Sequence, residues 1–157
     1  MQPTGTDSPP RVVAWLGYGG LLPFLALAAA SWVTDFNGQA SPLWQTALLA
    51  YGAAILSFVG ALHWGFAMTL RDLPGPVRTA SFVWSVVPAL LAWLALLAAP
   101  VVASALLVAG FVIHYWRDVR LAGRSDLPAW YLPMRLRLTW VACLCLAAPP
   151  IAQMLLR

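Results

Sequence analysis

Long apolar runs, broken only by short polar stretches, set the first expectation for this chain. A bilayer core of about 30 Å takes roughly 20 apolar residues in a helix. Val12–Trp32 is one such run, between Arg11 and Asp35, and Trp44–Leu70 is another, between the Ser41-Pro42 turn and Arg71-Asp72. From Thr79 to Trp116 there is no charge over 38 residues. As a single helix that stretch would measure roughly 57 Å, nearly twice the core thickness, so it must fold back on itself. Pro100 is the expected hinge, because proline suits a first helical turn and disfavours helix in the residue before it. This gives spans Thr79–Ala99 and Val101–Trp116, the second short and extended into the interface by the amphipathic His114–Leu121 segment. Thr139–Leu156 is the fifth span, with Pro149-Pro150 expected to kink or break its outer end. The pattern predicts an all-α polytopic membrane protein, a bundle of five transmembrane helices over residues 12–157 behind a disordered lead of residues 1–11.

Arginine placement orients the bundle, since short loops rich in basic residues stay in the cytoplasm. With the N-terminus cytoplasmic, Arg11, Arg71, Arg78, Arg117, Arg120, Arg124, Arg135 and Arg137 all fall inside. Only Arg157 falls outside, and Asp35 is the only acid there. Trp32 and Trp44 flank the first outer loop, and Trp116 and Trp130 the last cytoplasmic one, as interfacial anchors do. Ala26-Leu27-Ala28 resembles a signal-peptide cleavage site. The run is longer than a usual signal core, however, and its Gly17, Gly19, Gly20 and Pro23 suit a packed helix, so the span is expected to be retained.

Composition narrows the chemistry. Hydrophobic residues make up 62% of the 157 and charged ones 9%, far below the quarter or so of an average soluble domain. All nine basic residues are Arg and all five acids are Asp, which excludes catalysis by Lys or Glu. No Walker loop, dinucleotide fingerprint, zinc-protease helix or serine elbow occurs, and no catalytic residue can be identified. The net charge of +4 reflects arginine retained at the cytoplasmic face rather than a nucleic-acid partner. No charged residue is expected at mid-membrane depth, which argues against an ion-coupled carrier. Cys143 and Cys145, about 200° apart on a helix, cannot readily share a metal and read as packing.

His63 and His114 are the two imidazoles, both descending toward the cytoplasmic side. At a 100° step, His63 shares its face with Gly52, Leu56, Val59, Gly60 and Ala67, a small-residue stripe that suits close helix approach. His114 shares its face with Ala103, Leu107, Gly110, Phe111 and Asp118. Asp118 lies one turn on, where a carboxylate can accept the imidazole N–H and fix its tautomer. One expectation is that the two histidines converge on one pocket, as axial ligands of a haem or as polar partners of a quinone-like or lipid molecule. The stronger expectation, above all for His114, is of histidines near helix ends that hydrogen-bond a neighbouring backbone carbonyl or pair with an interfacial Asp. The polar segment Arg117–Leu138 is expected to anchor on anionic lipid head groups; the alternative is a cap over the histidine region, with Arg135 or Arg137 binding a phosphate or carboxylate.

Several blocks resemble a known family. They are Leu16-Gly17-Tyr18-Gly19-Gly20-Leu21-Leu22-Pro23-Phe24, the run from Tyr51 to Phe58 continuing into His63-Trp64-Gly65, Trp84-Ser85-Val86-Val87-Pro88, and Leu127-Pro128 with Trp130-Tyr131, followed by Arg135 and Leu138-Thr139. Together they resemble the small bacterial membrane family of unknown function that includes the animal transmembrane protein 69. The resemblance implies a multi-pass protein of the bacterial cytoplasmic membrane, with mitochondrial relatives. It picks out His63, Trp64 and Trp84 but carries over no activity. The leading functional expectation is an accessory, assembly or structural membrane component working with partner membrane subunits. The alternative is a haem-, quinone- or lipid-binding protein using His63, His114, Asp118, Trp64, Trp84 and Arg135. A small-solute carrier is the weaker third.

Overall fold

The computed structural model describes residues 8–37, 41–71 and 73–155. Most of the N-terminal lead, Asp72, Arg157 and the side chain of Asp35 lie outside the described residues. Six helices are present among the described residues: α1 (Arg11–Gly19), α2 (Leu21–Phe36), α3 (Pro42–Thr69), α4 (Gly75–Leu96), α5 (Pro100–Ala122) and α6 (Tyr131–Leu155). There are no strands among the described residues. With α1 and α2 taken as one broken span, five helical segments are long and apolar enough to cross a membrane.

The break between α1 and α2 follows from Pro23. Its ring displaces the carbonyl four residues back, that of Gly19, and offers no N–H to it. The helix resumes at Leu21, and the Tyr51 hydroxyl donates to the Gly20 carbonyl at 2.8 Å, tying the break to α3. Pro42 and Pro100 open α3 and α5 in the first turn, where a missing N–H costs nothing. The hinge expected at Pro100 is thus the start of α5, which runs on as regular helix past Trp116 to Ala122. α6 begins at Tyr131, well before Thr139, and continues through Pro149 and Pro150 without a break in its assignment. Arg78, from the first turns of α4, donates to the carbonyls of Ala67, Leu70 and Arg71 at 2.8, 2.9 and 3.1 Å. It thereby satisfies acceptors that the end of α3 leaves open and adds positive charge at the negative end of the helix dipole.

α3 is the central helix, packed against α2, α4, α5 and α6. Glycine makes the closest of these approaches possible. A Cβ at Gly60 would meet Pro88 of α4 at 2.8 Å, and one at Gly110 of α5 would meet Leu56 of α3 at 2.6 Å. Both stripes drawn through His63 and His114 are buried along their whole length. Phe24, Leu56, Leu107, Phe111 and Leu146 form the centre of the apolar core. Trp15, Trp93 and Trp140 face outward, more than half exposed, as side chains in contact with lipid do.

Candidate functional site

At the arginine-rich end of the bundle, α3, α5 and α6 bring ionisable side chains into the interior. His63 is 1% exposed, His114 and Asp118 0%, and Arg135 6%. Asp118 sits between the other elements. Its Oδ1 lies 3.0 Å from Nε2 of His63, and its Oδ2 accepts from Nε of Arg135 at 2.9 Å. The carboxylate therefore links three helices. Asp118 and Arg135 belong to helices of membrane-spanning length rather than to the polar segment expected from the sequence. Buried charges of this kind persist when they are paired, and in membrane helices they mark function more often than fold.

The local pair expected between His114 and Asp118 does not form a hydrogen bond. Nε2 of His114 is 3.7 Å from Oδ1, beyond hydrogen-bond range. The carboxylate's two oxygens are taken by His63 and Arg135, and His114 turns to another helix. The indole N–H of Trp84, on α4, donates to Nδ1 of His114 at 3.0 Å, with the two rings nearly parallel at 8°. Because Nδ1 accepts, the neutral ring carries its proton on Nε2. Trp84, singled out only through the resemblance, is thus in the cluster. Trp64 is not: it lies 49% exposed on the outer side of α3, edge-on to Phe82.

The cluster contains polar atoms without partners. Nδ1 of His63, Nε2 of His114, the Tyr131 hydroxyl, Nη2 of Arg135 and the Thr139 hydroxyl are all buried and unbonded. Native interiors leave few such atoms, and each one calls for an explanation such as a bound molecule. Tyr131 and Thr139 were not legible as site residues. Their roles depend on α6 starting early and on the face it turns to Asp118.

Of the cavities that adjoin the cluster, two approach it from different sides. One, of about 630 Å³, is bounded by α1, α3 and α6 together with Leu127 and Pro128, and its wall includes Phe58, Leu62, Met134, Tyr131 and Arg135. Leu16 and Phe58, 74% and 64% exposed, place its opening on the outer surface of the bundle. The other, of about 170 Å³, has a mixed wall, with His63, Ser81, Arg117, Arg120 and Arg124 beside Pro76, Val77, Ala80 and Leu121.

Haem does not fit these residues. The rings of His63 and His114 are in edge-to-face contact, with centroids 5.1 Å apart. Two axial histidines need the macrocycle between them, and no such gap exists here. The ligand atoms of His63, His114 and Asp118 do lie within 4.8 Å of one another, close enough to surround a small cation. Against that, the guanidinium of Arg135 already neutralises the carboxylate, and a cation there would face it directly.

The chain belongs to the family described as protein of unknown function DUF3429, whose model matches residues 9–149. It is 36% identical over 137 residues to transmembrane protein 69 of Xenopus tropicalis, an alignment covering 85% of this chain and 51% of that relative. The chain thus spans about half the length of that relative. No solved structure matches it.

Proposed function

We propose that this membrane protein binds an amphiphile, a quinone or a lipid, with its apolar body in the cavity between α1, α3 and α6 and its polar head at Arg135 and Tyr131. The observation that carries this reading is the coincidence of two features. The cavity is almost wholly apolar, yet it is walled by two buried side chains whose Nη2 and hydroxyl have no partner. A head group with oxygen acceptors would satisfy both donors, and its volume lies in the ordinary range for small-molecule sites. Asp118 and His63 then act behind the ligand, holding the guanidinium in place. A component working purely through packing, the leading expectation from sequence, does not account for the unpartnered donors. In this reading the arginine-rich end faces the cytoplasm of a bacterial inner membrane, with the Arg117–Leu138 segment against anionic head groups.

The test is extraction of the protein purified in mild detergent, followed by mass spectrometry of the co-purified small molecules. Enrichment of one quinone or lipid species over the bulk membrane is expected. That species should be lost in Leu62→Trp, which fills the cavity, and reduced in Tyr131→Phe. If the native protein carries nothing beyond bulk lipid, or Leu62→Trp retains the same species, the binding reading falls and the packing role stands.

A further inference from the structure

The smaller, arginine-lined cavity lies on the other side of His63 from the membrane-facing one and takes no part in amphiphile binding. Arg117, Arg120 and Arg124 come from the end of α5 and the turn after it, spaced three and four residues apart, so all three reach the same cavity wall. They repel one another. Among the described residues, no carboxylate lies within ion-pair distance of any of them. Arg117 is held over the ring of Trp84 and Arg120 over that of Trp116, at 5.0 and 3.4 Å to the centroids. Stacking of this kind leaves the donors at the edge of the guanidinium free to bind. The cavity wall is thus cationic, with Arg117 and Arg120 held by stacking and no ion-pair partner for the three arginines among the described residues.

A second observation indicates what belongs there. His63 lines the same cavity, is 1% exposed, and has no partner for Nδ1. Its Nε2 donates to the Asp118 carboxylate, which leaves Nδ1 free, an acceptor on a neutral ring and a donor on a charged one. A molecule that completes the site brings oxyanion oxygens to the arginines, and a hydroxyl beside them serves Nδ1 in either state. Arginine matches phosphate with paired N–H donors, and about 170 Å³ gives room for one such group.

We infer that the cavity formed by His63, Arg117, Arg120 and Arg124 is a binding site for a phosphate group bearing a hydroxyl, either inorganic phosphate or a hydroxylated phospholipid head. The site is separate from the amphiphile cavity, so Leu62→Trp leaves it intact. The test uses the full chain in nanodiscs with two probes. Inorganic phosphate is titrated against protein in phosphatidylcholine nanodiscs by equilibrium dialysis with radiolabelled phosphate. Phosphatidylglycerol is mixed into the nanodiscs, and its retention over phosphatidylcholine is read by native mass spectrometry. Arg120→Gln and Arg124→Gln are the main variants, because both side chains are exposed and the fold does not rest on them. Saturable binding of at least one probe is expected, weakened about tenfold by either variant and further by both. Phosphate alone identifies a soluble ligand, phosphatidylglycerol alone a lipid head, and both together a site for the phosphate itself. If neither probe binds, or if binding is unchanged in the double variant, the inference is overturned.

Discussion

Asp118 reaches across to His63 on α3, 3.0 Å from Oδ1 to Nε2, and leaves His114, one turn away on its own helix, at 3.7 Å. The choice is set by geometry around the carboxylate. Arg135 of α6 holds Oδ2 at 2.9 Å, and the remaining oxygen then faces α3. One side chain thereby bonds to two neighbouring helices, and the ionic pair forms a clasp rather than a local cap.

Removing one member of that clasp leaves the other charge buried. Asp118→Leu and Arg135→Met should each, alone, destabilise the protein by about 3–5 kcal/mol, the usual cost of breaking a buried pair. Replacing both, as Asp118→Leu with Arg135→Met, removes two desolvated charges together and should cost much less than the sum of the single losses. Unfolding in mixed micelles, followed by tryptophan fluorescence, measures each term. Additive losses would mean that the two side chains do not act as a pair.

Trp84 fixes the proton of His114. With the indole N–H donated to Nδ1, the neutral imidazole is the Nε2–H tautomer, and the nitrogen-15 spectrum of labelled protein should show one tautomer and a hydrogen-bonded Nδ1. Trp84→Phe keeps an aromatic ring but loses the donor. It should release the tautomer into a mixture and cost about 1 kcal/mol. A spectrum unchanged by the substitution would contradict the bond.

Much of this was legible in the chain, for identifiable reasons. Apolar run lengths and the doubled stretch ending in Trp116 were enough for five spans, and a 100° step placed the stripe of His63 inward, where it is buried. The same step brought Asp118 to the face of His114 but paired it with that histidine, whereas the carboxylate bonds to His63 and Arg135. Which side chain the carboxylate chooses depends on how α3 and α6 are rotated against α5, and that is set by packing such as Gly60 on Pro88. The continuation of α5 past Trp116 agrees with the amphipathic His114–Leu121 segment. The early start of α6 was hidden by its arginines: Arg135 and Arg137 read as a polar segment by charge, whereas a helix accepts them when their stems pack or pair. Placing Arg135 over the histidines was possible because all these features share one end of the bundle.

Gly60 and Gly65 lie on the same helix and should respond oppositely to alanine. At Gly60 the new methyl would press on Pro88 at 2.8 Å and on the Ser85 carbonyl at 3.2 Å, both held by a rigid helix. α3 and α4 must separate, with a loss of about 1–3 kcal/mol. At Gly65 nothing lies within 4 Å, and alanine removes only chain freedom, so a gain of about 0.5–1 kcal/mol is expected. Thermal stability of the two variants in one detergent decides this. Equal effects would remove the close α3–α4 approach as the reason for Gly60.

Orientation follows from the same arginines and can be checked with two single cysteines. Gly123, after α5, lies at the arginine-rich end, and Ala99, before α5, lies at the other; both are exposed, and Gly123 has an ordinary right-handed backbone that tolerates a side chain. Cys143 and Cys145 sit within α6, half-buried and buried, which keeps background labelling low. If basic segments stay inside, a membrane-impermeant maleimide applied to intact bacterial cells should label Ala99→Cys and spare Gly123→Cys. In inside-out vesicles the order should reverse. The opposite pattern in both preparations would place the N-terminus outside, and with it the mouth of the arginine-lined cavity.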